Sequence, residues 1–226
     1  MKLEYEKKGY FIVKNAINED KIESLINALT VFEKEINHYG IRDLMNKLPD
    51  IRELALSVSI LSIAKKILGD GARPIRAVFF DKLPGANWNV AWHQDTSIVV
   101  KAKINIPGFS FWREKQGAMH VEPPEKYLSN IVTLRIHLDP ANTETGVLRV
   151  IPETHKEGRV SSKNILDIVE KSEVKECTAQ PGDVLLMNPL LFHSSRKASK
   201  PVHRRIIHLE YSAMSLPKPL EWHERV

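Results

Sequence analysis

The sequence predicts a mainly β domain, a sandwich or barrel, with helices ahead of it. Three observations carry this. The first third shows apolar stripes at helical spacing, and from Ile75 onward the pattern changes to short β-like runs. Those runs are separated by Pro, Gly, Asn and Asp, mostly without helices between them, which argues against βαβ units.

Taken in order, Asn18 is suited to cap a helix, and Ile22, Leu25, Ile26 and Leu29 then share one helix face. Pro49 opens a second helix whose stripe is Ile51, Leu54, Val58, Leu61 and Ile67, and Gly69 stops it. Strands are expected over 75–83, 89–92 leading into 98–100, 131–138, 147–151, 174–178, 184–187 and 205–211. In 131–138, Val132, Leu134, Ile136 and Leu138 share a face opposite Thr133, Arg135 and His137. Stretches near 101–130 and 157–173 read as insertions. The expected organisation is one domain over 1–226, with a helical part over 1–72 and a β core over 73–215.

A chain of 226 residues suits one such domain, since sandwiches and barrels often run to roughly 200–250 residues. The sole cysteine, Cys177, excludes an internal disulfide framework and a cysteine-based zinc cluster. The N-terminal residues lack the apolar run of a signal peptide, and the most apolar stretch, Leu54 to Ala64, is far short of the ~20 residues of a membrane span. A cytoplasmic protein with no membrane partner is expected. The net charge of +5 comes from basic residues spread along the chain, which favours a solvated surface over a nucleic-acid interface.

Nine histidines are the main candidates for chemistry. His93 and Asp95 stand two positions apart, so on a strand both point the same way. Two histidines and a carboxylate form the facial set that suits non-haem Fe(II) and leaves coordination positions open. A third ligand is available from His193, which follows the turn Gln180–Asp183 and the strand 184–187. Further on, Arg204 is placed to grip a carboxylate through paired charge-assisted hydrogen bonds, and Ser195 to add a hydroxyl donor. Arg205 points to the opposite strand face, so the two arginines cannot serve equally.

These pieces occur in a recognisable order: Trp92-His93-Gln94-Asp95, Thr133 to Asp139, Gly146 to Pro152, Pro181 to Leu186, and His193 to Arg204. The chain resembles the phytanoyl-CoA dioxygenase family of Fe(II)/2-oxoglutarate oxygenases, and the N-terminal Gly9 to Lys14 resembles that family's opening. The resemblance implies a double-stranded β-helix, a jelly-roll barrel with N-terminal helices packed on one sheet. It implies that His93, Asp95 and His193 bind iron, and that Arg204, with Ser195 and Thr133, holds the cosubstrate 2-oxoglutarate. The implied reaction uses O2 to hydroxylate an aliphatic C–H of a small metabolite, releasing succinate and CO2. Asp95 occupies the position that halogenating variants leave open, so halogenation is not expected.

Substrate contacts are expected from Arg76, Trp112, His120 and Arg135. His120 and Trp112 lie in the insertion where a lid would be built. Arg76 and Arg135 would make the pocket cationic and the substrate anionic; the competing expectation is that nearby acids pair with them. His203, His208 and His155 are expected in supporting or surface roles. Two other functions stay open on the residues alone: a non-catalytic jelly-roll binding or sensing protein, and an oxygenase directed at nucleic acid or protein.

Overall fold

The structure, a computed structural model, describes residues 1–36, 40–82, 87–200, 202–224 and 226; Leu83, the end of the first expected strand, lies outside them. Helix α1 (Lys2–Lys8) ends at Gly9 and leads into β1 (Tyr10–Val13). Helix α2 (Glu19–Ile36) is capped by Asn18, whose Oδ1 accepts the Lys21 N–H at 3.0 Å. Strand β2 (Gly40–Arg42) and helices α3 (Leu44–Lys47), α4 (Pro49–Leu56) and α5 (Val58–Leu68) follow. Then come β3 (Arg73–Lys82), β4 (Val90–His93), β5 (Ile98–Val100), β6 (Ser110–Lys115), β7 (Ala118–Glu122) and α6 (Glu125–Leu128). The chain continues with β8 (Ile131–His137), β9 (Leu148–Val150), α7 (Ser162–Glu170), β10 (Lys175–Glu176), β11 (Val184–Met187), β12 (His193–Ser195) and β13 (Arg204–Ser212).

Strand order is β1-β11-β8-β13-β3-β2 in the large sheet and β10-β9-β12-β4 in the smaller one, every neighbour antiparallel. The two sheets face each other across a cavity as a jelly roll. The helices cover the outer face of the large sheet, where Leu25, Leu29, Leu54 and Ile60 pack on Phe79, Leu134, Ile136, Ile207 and Leu209. Each such side chain contributes roughly 1.5–3 kcal/mol by leaving water, so this face anchors the barrel.

The inner face of the same sheet is polar. Register aligns Lys82 with Arg204, Phe80 with Ile206 and His137, Val78 with His208 and Arg135, and Arg76 with Glu210 and Thr133. Arg42 stands beside Val78 on the next strand. Five cations, Arg42, Arg76, Lys82, Arg135 and Arg204, therefore share this inner face with one carboxylate, Glu210.

Four expectations are corrected or refined. The segment 1–72 is not wholly helical, because β1 and β2 form the two edges of the large sheet. Both are too short to show alternation and acquire strand character only by pairing. The apolar stripe from Pro49 to Leu68 is two helices, broken at Ser57, whose extended backbone (ψ 148°) ends α4 and starts α5. The insertion at 101–130 contains the hairpin β6–β7, which joins β5 in a third sheet. Beyond residue 215, the Glu224 carboxylate accepts the Met45 and Ala77 N–H groups at 3.0 Å each, so the core also extends past its expected end.

Candidate metal centre

Strands β4 and β12 pair directly, with His193 opposite His93, and this brings the two imidazoles together at 4.1 Å between centroids. Asp95 follows β4 in the loop and is fixed there by its own N–H, which donates to the Pro189 carbonyl at 2.8 Å. The potential ligand atoms of His93, Asp95 and His193 all lie within 4.8 Å of one another.

The outer ring nitrogens set the tautomers. Nδ1 of His93 lies 2.8 Å from the Ala91 carbonyl, and Nδ1 of His193 lies 2.8 Å from the Leu191 carbonyl. A carbonyl only accepts, so each Nδ1 carries the proton and each Nε2 presents its lone pair. Those Nε2 atoms stand 3.8 and 3.6 Å from the Asp95 oxygens. Burial pushes the His193 pKa down to about 4 against the pull of Asp95, so it is neutral at physiological pH. Burial alone would raise the Asp95 pKa, but His193 and His93 outweigh it and hold the carboxyl at about 2. The set is thus ionised as a divalent cation requires, and two nitrogens and one oxygen without thiolate fit Fe(II).

Gln94 points the other way, as strand alternation demands. Its Nε2 donates to the Gly158 and Leu190 carbonyls at 2.7 Å each, and its Oε1 accepts the Val160 N–H at 2.8 Å. This residue ties two loops behind the ligands, a positioning task the sequence did not reveal.

A cavity of about 190 Å³ runs from the triad to Arg204, lined also by Phe80, Trp88, Arg135 and Ser195. Its size falls below the roughly 300 Å³ at which drug-sized pockets begin. At the far end Arg204 Nη1 donates to the Gly146 carbonyl at 2.5 Å. Beside it Lys82 Nζ donates to Ser195 Oγ at 3.1 Å and to the Arg196 carbonyl at 2.6 Å. Burial, then Arg204 and Arg135, pulls the Lys82 pKa down to about 7; burial, then Arg135, lowers Arg204 to about 9. Crowded cations of this kind are relieved by an anion. Arg205 faces away and forms a two-pronged pair with Asp139, both contacts 2.8 Å.

Between the two ends, Arg135 Nη1 meets His208 Nδ1 at 3.1 Å. Arginine only donates, so the His208 proton sits on Nε2 and is given to Glu210 at 3.2 Å. Arg76 Nη1 reaches the same Glu210 oxygen at 2.8 Å. Arg76 therefore has the acid partner that was its competing expectation, whereas Arg135 lines the cavity.

The other expected residues stand apart. Thr133 is on the inner face but in the Arg76–Glu210 row, several rows from Arg204, and it is not among the cavity-lining residues. Trp112 packs with the apolar cluster around Ile98, Val121 and Trp222 rather than with the cavity. His120 is buried on β7, away from the 190 Å³ cavity. His155 contacts the Glu6 carbonyl and His203 pairs with Asp81. Lys82, His208 and Gln94 are site residues that sequence reasoning missed or undervalued.

A family model described as phytanoyl-CoA dioxygenase matches residues 5–206. The chain belongs to that family. Its members are non-haem iron dioxygenases that use 2-oxoglutarate and O2, and the donor chemistry above fits that iron. Among curated proteins, methylphosphonate hydroxylase of Gimesia maris is 28% identical over 127 residues, covering 54% of this chain and 47% of that protein. The chain thus matches about half the length of this relative. The fold is shared with HygX from Streptomyces hygroscopicus, solved with nickel and 2-oxoglutarate (TM-score 0.70, 14% identity, 92% and 84% of the two chains). It is also shared with EctD from S. alaskensis, solved with bound Fe (TM-score 0.72, 16% identity, 93% and 74%). Among the described residues no helix is long and apolar enough to cross a membrane.

The family motif that begins at Gly146 has a checkable energetic role. Gly146 adopts φ +71°, and a Cβ there would lie 2.5 Å from the Arg196 carbonyl oxygen. Gly146→Ala is expected to lower unfolding free energy by about 2–4 kcal/mol, combining left-handed strain with overpacking. Urea unfolding with a wild-type midpoint would contradict this.

Proposed function

We propose that the protein is an Fe(II)- and 2-oxoglutarate-dependent dioxygenase that hydroxylates an aliphatic C–H of a small, anionic metabolite. The observation that carries this reading is one cavity with a two-histidine, one-carboxylate set at one end and Arg204, Lys82 and Ser195 at the other. A dicarboxylate fits between them, one end at the metal and its distal carboxylate among the three donors.

Iron, 2-oxoglutarate and O2 supply the oxidising chemistry. One oxygen atom enters the substrate, replacing C–H with C–OH; the other enters succinate as the cosubstrate loses CO2. The chain's own residues orient and exclude water. Arg204 and Lys82 neutralise the distal carboxylate, and Nδ1–H contacts lock the imidazoles. Phe80, Trp88 and Val90 keep the cavity wall apolar. Non-catalytic ligand capture would not need a buried carboxylate clamp. The curated relative's action on methylphosphonate supports an anionic substrate, as does the excess of cations on the inner face.

Anaerobic protein given Fe(II) and 2-oxoglutarate is expected to develop a visible charge-transfer band. Admitting O2 should then yield succinate. Folded protein that shows neither would refute the proposal. Arg204→Met should raise the 2-oxoglutarate concentration needed for the band by about ten- to hundred-fold, the worth of one charged hydrogen-bonded contact.

A further inference from the structure

A second group of cations lies at the barrel mouth, outside the cavity between triad and clamp. Arg42 on β2 and Arg76 on β3 occupy the inner face of the large sheet. The hairpin β6–β7 lies beside Arg42. Its register places Arg113 opposite His120 and Lys115 opposite Ala118, so Arg113, Lys115 and His120 share one face. Arg42 Nη1 reaches across to that hairpin and donates to Gln116 Oε1 at 2.8 Å. The charges that bear on His120 are Arg76, Lys115 and Arg42, against the single carboxylate of Glu210.

The group has unspent hydrogen-bonding capacity. Both ring nitrogens of His120 are buried and have no hydrogen-bond partner among the described residues, and the same is true of Arg42 Nε. Burying such atoms unpaired is costly, and crowding them with like charges adds to the cost. An apolar residue at position 120 would avoid the penalty; a bound oxyanion would satisfy one of these nitrogens instead. The group also reaches toward the metal end: Arg76 shares the Glu210 carboxylate with His208, which lines the cavity with the triad. Three cations against one carboxylate leave a double positive charge, which a doubly charged oxyanion balances.

We propose that Arg42, Arg76, Lys115 and His120 form the subsite for the oxyanion head of the primary substrate, a tetrahedral phosphonate or phosphate-ester dianion. Arg76 and Arg42 supply guanidinium donors, and His120 supplies one N–H. The carbon next to the head group is thereby presented to the metal. The subsite selects the substrate, whereas Arg204 and Lys82 select the cosubstrate. This inference rests on the reading of the triad as an iron site, and its test separates the two.

Methylphosphonate and inorganic phosphate are titrated calorimetrically into anaerobic protein, with and without Fe(II) and 2-oxoglutarate. Saturable binding of methylphosphonate is expected in the loaded protein. Arg42→Met, His120→Leu and Lys115→Gln should each weaken it by about tenfold or more, while Lys2→Gln, an exposed residue of α1, leaves it unchanged. Lys115 is exposed, so Lys115→Gln tests the subsite without disturbing the core. Thermal unfolding of each variant checks its fold. Tight phosphate binding with the same variant pattern would assign the subsite to phosphate esters. Competition between methylphosphonate and 2-oxoglutarate, with binding retained in Arg42→Met, would overturn the proposal, because the anion would then sit in the cosubstrate clamp. Absence of binding in protein that forms the iron–2-oxoglutarate band would overturn it too. Binding that follows Arg42 and His120 in protein lacking that band would instead sink the iron reading and leave the oxyanion subsite standing.

Discussion

Asp95→Ala is expected to lower Fe(II) affinity by about 100-fold or more and to abolish succinate formation while leaving the fold intact. Losing a group that merely supports a ligand costs about 10–100-fold, and Asp95 is itself a ligand candidate. It supplies the one negative charge of the set, standing 3.6 and 3.8 Å from the two Nε2 atoms. Without it two neutral imidazoles face a dication. The fold should tolerate the change, because the backbone N–H to Pro189 holds the loop and Gln94 holds the loops behind it. Calorimetric metal titration with circular dichroism as control measures both. Undiminished iron binding, or a variant that unfolds, would contradict the account.

What the sequence disclosed of this site follows from where the information lies. His93 and Asp95 are two residues apart, and alternation along a strand is local, so their common direction was legible. The inner face of β8 was legible for the same reason, with Arg135 and His137 opposite Leu134 and Ile136. Partnership across strands is not local. That Lys82 lies opposite Arg204, and that Thr133 lies rows away beside Glu210, depends on register between strands more than 70 residues apart in the first case. The same limit hid β1 and β2, which are strands only because β11 and β3 accept them. Ser57 was illegible for a different reason. The apolar stripe continues through it, and only the backbone turn shows that two helices share the stripe.

The large polar inner face also has a thermodynamic consequence, and His137 carries it. Metal-free protein is expected to lose stability steeply as pH falls below about 6. His137 is buried, with neither ring nitrogen partnered among the described residues. Burial, then Arg135 and Arg204, pushes its pKa down to about 3 from the usual 6.5. Between those values the unfolded chain binds the extra proton and the folded chain does not, so falling pH favours unfolding. The contribution is fully present above about 6.5 and is lost progressively toward 3. One proton corresponds to about 1.4 kcal/mol per pH unit, and the full loss is on the order of 4–5 kcal/mol. His120, nearer the mouth and also pushed down to about 3, adds in the same direction. His137→Leu removes the titrating ring and its two unpaired nitrogens together. It should therefore reduce the pH slope by about one proton and make the protein more stable than wild type near pH 5. Urea unfolding between pH 7.5 and 4.5 measures both slopes. Parallel curves for the two proteins would mean that the His137 ring is protonated, or hydrated, in the folded state, and the electrostatic description of this inner face would have to be redrawn.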